Sequence, residues 1–430
     1  MLFENIGILD ENFDYKENMY VGVEHGKIDY IGPKRPPHDY GESYDGKNRL
    51  LMPGFFNAHA HSPMSLLRGY AENMKLQDWL FKRVFPFEAK LTNNSVYWGT
   101  LLCMAESLRF GIVSTSDMYY FMTDMGKAAL DSKCKINLSR AIASIDGSED
   151  FDHYPSVEEM KVAVRVFNGA GDGRVKVDAS LHAEYTSNET IALKLADLTK
   201  ELGINMQVHV AETRSEAEEC MGRHQGRTPV QYLADCGIFD MNTTAAHCVW
   251  LGDADYEILR DKHVTVATNP CSNLKLASGI CDVARLLDEG VSVAIGTDSV
   301  SSNNSLDFLQ EIKNMALTAK VRADDPTVIT PKQAMYAATR AGALAQGRED
   351  TGLLKQGYKA DLIVMRTDVP NMHPVHNMLN NIVYSACSGD IVMTMVDGDV
   401  LYRDGEYKTI DIEQAITETE KATQDILDRL

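Results

Sequence analysis

Short apolar runs rich in β-branched residues alternate with longer segments of helical periodicity through most of this 430-residue chain. Between the runs, apolar residues recur at helical spacing, as they do at Ile191, Leu195 and Leu198. Eight repeats of this alternation over roughly 300 residues predict an α/β fold, a (β/α)₈ TIM barrel with insertions. The runs lie around residues 52–61, 111–118, 135–142, 175–183, 205–212, 243–250, 263–269 and 291–298.

The two ends of the chain have a different pattern, in which short strand-like runs are separated by turns. Near the C-terminus, Ile391–Val396 and Val400–Tyr402 flank Asp397-Gly398, which is a hairpin signal. Strand-like runs near the N-terminus are also separated by glycine-containing turns. We expect a small β-sandwich module from both chain ends, residues 1–50 plus 351–430, and the barrel over residues 51–350.

Metal-ligating side chains stand at the ends of several runs. The first run ends at His59 and His61, and side chains at positions i and i+2 of a strand point to the same face. Catalytic groups of a (β/α)₈ barrel lie at the C-terminal ends of its strands, so such side chains would converge. Taken singly, a buried histidine can be structural and an aspartate can cap a helix, but the set indicates a metal-dependent enzyme. The other members are His182 in run four, His209 and Glu212 in run five, His247 in run six and Asp298 in run eight.

Composition and charge exclude several classes of protein. The net charge is −20, from 42 basic and 62 acidic residues, which argues against a nucleic-acid partner. No apolar run approaches the length of a membrane span, and the N-terminus lacks the pattern of a signal peptide. The eight cysteines form no Cys-x-x-Cys pair, which favours reduced thiols. We therefore expect a cytoplasmic protein with a small-molecule substrate and no membrane association.

The chain resembles the amidohydrolase superfamily, and within it the branch of 5-methylthioadenosine/S-adenosylhomocysteine deaminases and related chlorohydrolases. The resemblance covers nearly the whole chain. It is carried by Pro53–His61, Leu67-Arg68-Gly69, Trp79-Leu80, Phe85–Glu88, Gln207–Thr213, Ala246-His247-Cys248, Asn269–Gly279 and Gly296-Thr297-Asp298. It implies one divalent metal ion per chain, with His59, His61, His209 and Asp298 as ligands.

Two properties of that metal site follow from the same resemblance. The two-metal branch uses a carboxylated lysine at the end of strand four, where this chain has His182, while Lys176 lies near the start of the strand. We therefore expect a mononuclear site. Zn²⁺ is favoured, and Fe²⁺ and Mn²⁺ stay open because the same ligand set can hold each.

The implied activity is hydrolytic deamination of an adenine nucleoside of the adenosine, 5′-methylthioadenosine or S-adenosylhomocysteine type, a C–N hydrolysis that releases ammonia. A metal ion lowers the pKa of bound water, His247 and Asp298 would accept its proton, and Glu212 would protonate the ring nitrogen. The resemblance further implies that His182 hydrogen-bonds the base or sugar, that Glu88 binds the ribose, that Trp79 walls the pocket and that Arg140 meets the amino-acid tail of S-adenosylhomocysteine.

Three segments depart from the family pattern. Ser144–Asp150 is acidic where a second tail-binding arginine is expected, Leu181–Tyr185 replaces a Pro-His-Ser-Pro-Tyr segment, and Asp298–Ser302 lacks the usual Gly-Ala-Ala. We therefore expect smaller neutral substrates, such as adenosine or methylthioadenosine, to be preferred over S-adenosylhomocysteine. Deamination of guanine, cytosine or a pterin, triazine chlorohydrolysis and a non-catalytic barrel protein are the alternatives. Relatives are often oligomers, so a homo-oligomer is expected.

Overall fold

The computed structural model describes residues 1–144 and 146–430. The strands are β1 (Leu2–Leu9), β2 (Tyr15–Glu24), β3 (Lys27–Gly32), β4 (Ser43–Asp45), β5 (Arg49–Pro53), β6 (Phe55–Ala60), β7 (Ile112–Met118), β8 (Lys135–Ser139), β9 (Ala141–Ile142), β10 (Val175–Val177), β11 (Ala179–Ala183), β12 (Met206–Val210), β13 (Thr243–His247), β14 (Thr265–Thr268), β15 (Ser292–Ile295), β16 (Leu362–Arg366), β17 (Ile391–Val396), β18 (Asp399–Arg403) and β19 (Glu406–Tyr407).

The helices surround these strands. They are α1 (Leu76–Trp79), α2 (Phe85–Glu88), α3 (Asn93–Arg109), α4 (Met122–Ser132), α5 (Pro155–Phe167), α6 (Ala170–Gly173), α7 (Glu189–Leu202), α8 (Arg214–Arg223), α9 (Pro229–Asp235), α10 (Asp255–Asp261), α11 (Pro270–Lys275), α12 (Val283–Asp288), α13 (Phe308–Ala323), α14 (Pro331–Tyr336), α15 (Gly342–Ala345), α16 (Met378–Tyr384) and α17 (Ile412–Leu427). Within the described ranges, no helix is long and apolar enough to cross a bilayer.

Strands β6 to β15 form the predicted barrel of parallel strands. Within the described residues they fall into two sheets, ordered β10-β8-β7-β6 and β15-β14-β13-β12-β11-β9, and an Ala60–Asp298 bridge joins β6 to the segment after β15. The third and fourth predicted runs are each divided in two, at Arg140 and at Asp178, and the halves pair as β8 with β10 and β9 with β11. Each of the eight predicted runs therefore contains at least one strand of the barrel, which confirms the predicted barrel fold.

Both chain ends contribute to one further sheet, ordered β19-β18-β17-β16-β5-β1-β2-β3, with β4 beside β1. The predicted hairpin joins β17 to β18, and Asp397 and Gly398 have the positive φ angles, 47° and 79°, that a tight hairpin turn needs. Apolar side chains on one face of the sheet form their own core, which includes Phe3, Ile6 and Val364. Pairing of the two ends is thus observed.

A buried ion pair fixes this sheet to the N-terminal end of a barrel strand. Lys135 begins β8 and is fully buried, and its Nζ lies 2.5 Å from Asp361 Oδ2 and 2.6 Å from Asp397 Oδ1. The backbone N–H of Asp397 also donates to Asp361 at 2.9 Å. This end of a barrel serves stability, and the polar strand ends described next lie at the opposite end.

Candidate active site

Three imidazoles converge at the C-terminal ends of β6 and β12. Nδ1 of His61 lies 2.6 Å from the Met118 carbonyl oxygen, and Nδ1 of His209 lies 2.6 Å from the His182 carbonyl oxygen. Because a carbonyl only accepts, each Nδ1 carries a hydrogen and each Nε2 is the atom that faces the cluster. The two Nε2 atoms are 3.4 Å apart, and the third imidazole, that of His59, has a buried Nε2 without a hydrogen-bond partner among the described residues.

Asp298 completes the cluster from the segment after β15. Its Oδ1 lies 3.3 Å from His61 Nε2 and 3.8 Å from His59 Nε2. Its Oδ2 accepts hydrogen bonds from Ser272 Oγ at 2.6 Å and from Ser302 Oγ at 3.0 Å. Two hydroxyls therefore hold one oxygen, while the other accepts the Ser299 backbone N–H at 2.8 Å and faces the imidazoles.

This donor set fits a divalent transition-metal ion. Nitrogen atoms of His59, His61 and His209 lie within 4.8 Å of one another. Three imidazole nitrogens with one carboxylate oxygen suit zinc and its first-row neighbours. The unpartnered Nε2 of His59 is the atom that such an ion would satisfy, because a buried polar atom without a partner is costly.

The histidines of this cluster differ in the direction in which their pKa values are shifted. Burial, reinforced by neighbouring imidazoles, lowers the pKa values of His59 and His209 well below the usual range, which keeps both neutral. Burial opposes charge on His61 and Asp298 as well, but their mutual contact outweighs it. That contact raises the pKa of His61 to about 9 and holds the pKa of Asp298 well below its ordinary value. The carboxylate is therefore ionised, as a ligand must be.

Glu212 and His247 lie beside this cluster. His247 Nε2 is 3.9 Å from Glu212 Oε2, and Ser278 Oγ donates to Glu212 Oε1 at 3.2 Å. Nδ1 of His247 donates to Asn273 Oδ1 at 2.9 Å, so its Nε2 is the atom directed toward Glu212. Burial raises the pKa of the Glu212 carboxyl, which is the direction that a proton donor near neutral pH needs. The arrangement can therefore exchange protons with a bound molecule.

These groups line one cavity at this end of the barrel. Its apolar wall comes from the segment over α1 and α2 and includes Trp79, Leu80 and Phe85, and its polar lining includes Glu88. The cavity brings together most of the predicted site residues, namely His61, Trp79, Glu88, His182, His209, Glu212, His247 and Asp298, while His59 adjoins them through its ring contacts.

Glu88 is a further acidic group in the lining of the cavity. Burial raises the pKa of its carboxyl to about 7, and the nearby Tyr119 and Tyr120 hydroxyls act in the opposite direction. Near neutral pH this carboxyl can both donate and accept hydrogen bonds. Such a group suits the recognition of ligand hydroxyls.

His182 is neutral and held in place at the end of β11. Its Nδ1 lies 2.8 Å from Thr186 Oγ1, and burial lowers the pKa of the ring to about 4. Lys176, near the start of the same predicted run, binds the Gly347 carbonyl at 2.5 Å. The cavity end of this strand therefore presents a histidine rather than a lysine.

Arg140 is not among the residues that line the cavity. Its Nε donates to Glu159 Oε2 at 3.0 Å, its Nη1 donates to the Ala141 carbonyl at 2.8 Å, and its guanidinium stacks on the Tyr120 ring with 4.2 Å to the centroid. Tyr120 does line the cavity. Arg140 thus adjoins the pocket, with its charge already paired.

Two of the segments that differ from the family pattern, Ser144–Asp150 and Leu181–Tyr185, have different surroundings in the structure. Ser144–Asp150 contains Ile145, which lies outside the described residues, and Asp146 accepts a hydrogen bond from the Tyr154 hydroxyl at 3.1 Å rather than lining the cavity. In the segment after β11, Glu184 pairs with Arg223 at 2.6 Å, so it faces α8. Tyr185 of the same segment lines the cavity.

Sequence reasoning did not assign roles to several side chains that hold these groups. Ser272 and Ser302 hold Asp298, Ser278 holds Glu212, and Asn273 holds His247. Three of the four belong to the polar run Asn269–Gly279, which follows β14 at the cavity end of the barrel. A polar segment after a barrel strand is the signal that would have found them.

Comparison with known proteins gives a consistent family. The model of the amidohydrolase family matches residues 50–401. A 5-methylthioadenosine/S-adenosylhomocysteine deaminase of Dictyoglomus thermophilum is 37% identical over 99% of both chains, and a 5′-deoxyadenosine deaminase of Methanosarcina mazei is 38% identical over 97% of this chain and 95% of its own. A solved adenosine deaminase of Xanthomonas campestris with bound zinc is 26% identical, with a TM-score of 0.92 over 99% of this chain and 98% of its own. The chain belongs to the amidohydrolase family.

Proposed function

We propose that this protein is a metal-dependent hydrolytic deaminase of adenine nucleosides, which releases ammonia and an inosine-type product. The observation that carries the proposal is the position of Glu212, a buried carboxyl in the same cavity as His61, His209 and Asp298. Deamination of an aromatic ring requires a proton donor for the ring nitrogen next to a source of nucleophilic water. The relatives named deaminases of 5-methylthioadenosine/S-adenosylhomocysteine and of 5′-deoxyadenosine support the same substrate class.

His59, His61, His209 and Asp298 would hold one divalent ion. A bound ion supplies nucleophilic water near neutral pH and polarises the group that the water attacks. We favour Zn²⁺, because the solved adenosine deaminase contains zinc and the nitrogen-rich set suits it, and Fe²⁺ or Mn²⁺ would fit the same ligands.

The proton-handling steps belong to three side chains. Asp298 and His247 accept the proton of the attacking water, while Glu212 donates a proton to the ring nitrogen beside the attacked carbon. A C–O bond forms at that carbon, the proton taken from the water moves on to the amino group, and the C–N bond breaks to release ammonia while the proton of the new hydroxyl passes to Glu212. Ser278 holds the Glu212 carboxyl at 3.2 Å, so the donor does not reorient between steps.

The remaining contacts fix the base and sugar. We assign Glu88 to the ribose hydroxyls, His182 to the base or sugar, and Trp79 to the apolar wall, since all three line the cavity. Arg140 adjoins this set through Tyr120 and is already paired with Glu159. The cavity wall is apolar and the charge of Arg140 is already paired. The pocket therefore favours a substrate with a neutral 5′ group, such as adenosine or methylthioadenosine, over one with a carboxylate tail.

A substrate panel tests the proposal. Ammonia release is measured with adenosine, 5′-methylthioadenosine, 5′-deoxyadenosine and S-adenosylhomocysteine, and then with guanine, cytosine and a pterin, each with added zinc, manganese or iron. Chloride release is measured with a chlorotriazine. We expect the neutral nucleosides to give the highest kcat/KM. A preference for S-adenosylhomocysteine would overturn the selectivity, and turnover of only a free base or triazine would overturn the substrate class.

A single substitution tests the chemistry. Glu212→Gln should lower kcat by about 10²-fold to 10⁴-fold, the usual contribution of a general acid–base group. Glu218→Gln makes the same change in charge at an exposed position of α8 and should retain activity. Equal activity of the two variants would contradict the role of Glu212.

We further infer that residues 1–50 and 351–430 act as a β-sandwich module, that residues 51–350 act as the catalytic barrel, and that copies assemble as a homo-oligomer. The pairing of β5, which spans Arg49–Pro53, with β16 supports a module built from both chain ends. The eight cysteines are all free thiols and six of them are buried, which supports a reducing, cytoplasmic environment. Separate expression of the barrel and light scattering of the intact protein test the division and the assembly.

A further inference from the structure

Glu216 is a buried carboxylate that none of the steps above uses. It is only 5% exposed, although its neighbours in α8, Glu218 and Glu219, are exposed. A buried carboxylate needs hydrogen-bond partners, and the partners of Glu216 are two consecutive backbone amides. Its Oε1 accepts the N–H of Ala211 at 2.8 Å, and its Oε2 accepts the N–H of Glu212 at 2.7 Å.

This arrangement differs from ordinary helix capping. Thr213 is the N-cap of α8, and its hydroxyl accepts the N–H of Glu216 at 3.2 Å. In a capping box, a glutamate at this third helical position bonds to the N–H of the N-cap residue itself. Glu216 instead reaches one and two residues further back, to Glu212 and Ala211. Its carboxylate therefore holds the turn between β12 and α8.

The turn between β12 and α8 needs to be held. Ala211 has a φ of 48°, in the left-handed region that a residue with a side chain rarely adopts. The other side of the same turn is fixed by the Ala211 carbonyl, which accepts the N–H groups of Val249 and Trp250 at 3.1 and 3.0 Å. Together with Glu216, these contacts turn the chain so that Glu212 faces the cavity.

We propose that Glu216 is a positioning residue, whose two amide contacts fix the backbone of Glu212 and thereby aim the Glu212 carboxyl at the substrate ring. Both carboxylate oxygens are needed for this contact. A glutamine at this position places an NH₂ donor against one of the two amide N–H groups and loses that contact, and an aspartate is one methylene too short to hold both. The role of aiming the proton donor rests on the proposed function, whereas the amide contacts do not.

The test compares wild type with Glu216→Gln, Glu216→Asp and Glu218→Gln. Hydrogen exchange at the amides of Ala211 and Glu212 is followed by mass spectrometry, and kcat and KM are measured with 5′-methylthioadenosine. We expect faster exchange at both amides in the Glu216 variants. We also expect kcat to fall by about 10-fold to 100-fold, the effect of displacing a catalytic group by about 1 Å, while KM changes by less than about threefold.

The possible outcomes separate the inference from the proposed function. Wild-type kcat in Glu216→Gln, an equal loss in Glu218→Gln, or a rise in KM in place of a fall in kcat would each overturn the positioning role. If Glu216→Gln fails to fold, the test uses Glu216→Asp and the hydrogen exchange of the wild-type protein. Fast exchange at the amides of Ala211 and Glu212 in wild type would also overturn the positioning role. Absence of nucleoside deamination by wild type would refute the proposed function, and the exchange result would still test the amide contacts.

Discussion

Ser272 should control how tightly the protein holds its metal ion. Its hydroxyl donates to Asp298 Oδ2 at 2.6 Å, and the only other side-chain hydroxyl that reaches this oxygen among the described residues, that of Ser302, is at 3.0 Å. A hydrogen bond to a charged group contributes about 1.5 to 3 kcal/mol. Ser272→Ala removes the shorter bond and leaves Asp298 held by Ser302 and the Ser299 N–H alone, so the carboxylate is less firmly oriented toward the imidazoles.

That free energy corresponds to a loss of about 10-fold to 100-fold in zinc affinity, the range found for groups that orient metal ligands. The assay is competition for Zn²⁺ against a fluorescent chelator, with kcat measured at saturating zinc. Ser301→Ala is the matched control, because the Ser301 hydroxyl is buried nearby and bonds to no partner within the described residues. A zinc affinity of Ser272→Ala within twofold of wild type would refute the reasoning.

Three further predictions follow from charge and burial. Burial raises the pKa of Glu88 from 4.5 to about 7, so the folded protein binds a proton that the unfolded chain has released, and its stability falls as the pH rises through this range. The Tm of Glu88→Gln minus the Tm of wild type should therefore increase from pH 5 to pH 8. A Tm difference that does not change with pH would contradict this prediction. Lys135→Met leaves the fully buried Asp361 without its cation, whereas Asp397 keeps Lys359 and Arg174, each at 3.4 Å. Urea unfolding should therefore show a loss of about 3 to 5 kcal/mol, and the exposed control Lys82→Met should show none. Chelation should abolish ammonia release and lower Tm, and added zinc should restore both; activity that survives complete metal removal would argue against the assigned ligands.

The barrel could be predicted from the sequence because burial on both faces makes parallel strands apolar. The division of the third and fourth runs could not be predicted in the same way. The break at Asp178 places a carboxylate that accepts hydrogen bonds from Asn137 and Gln207, which come from two other strands. Such a break depends on three strands at once, and the local pattern of any one of them does not contain it.

The candidate site shows the same limit. His59, His61 and His209 could be selected because strand ends of a barrel meet at one mouth. Glu216 could not be selected, because Thr213-Arg214-Ser215-Glu216 has the spacing of a capping box, and only the fold shows that the carboxylate reaches further back. The pairing of Arg140 with Glu159 likewise depends on how α5 packs beside β9.

Hydrolysis of an adenine nucleoside at the metal-ligating cluster next to Glu212 should incorporate an oxygen atom from water into the product. The most direct measurement is the conversion of 5′-methylthioadenosine in ¹⁸O-labelled water by the zinc-loaded protein, with mass spectrometry of the product and parallel ammonia determination. We predict one labelled oxygen in the purine product for each ammonia released, and almost no product from Glu212→Gln. An unlabelled product, or equal conversion by Glu212→Gln, would contradict the account.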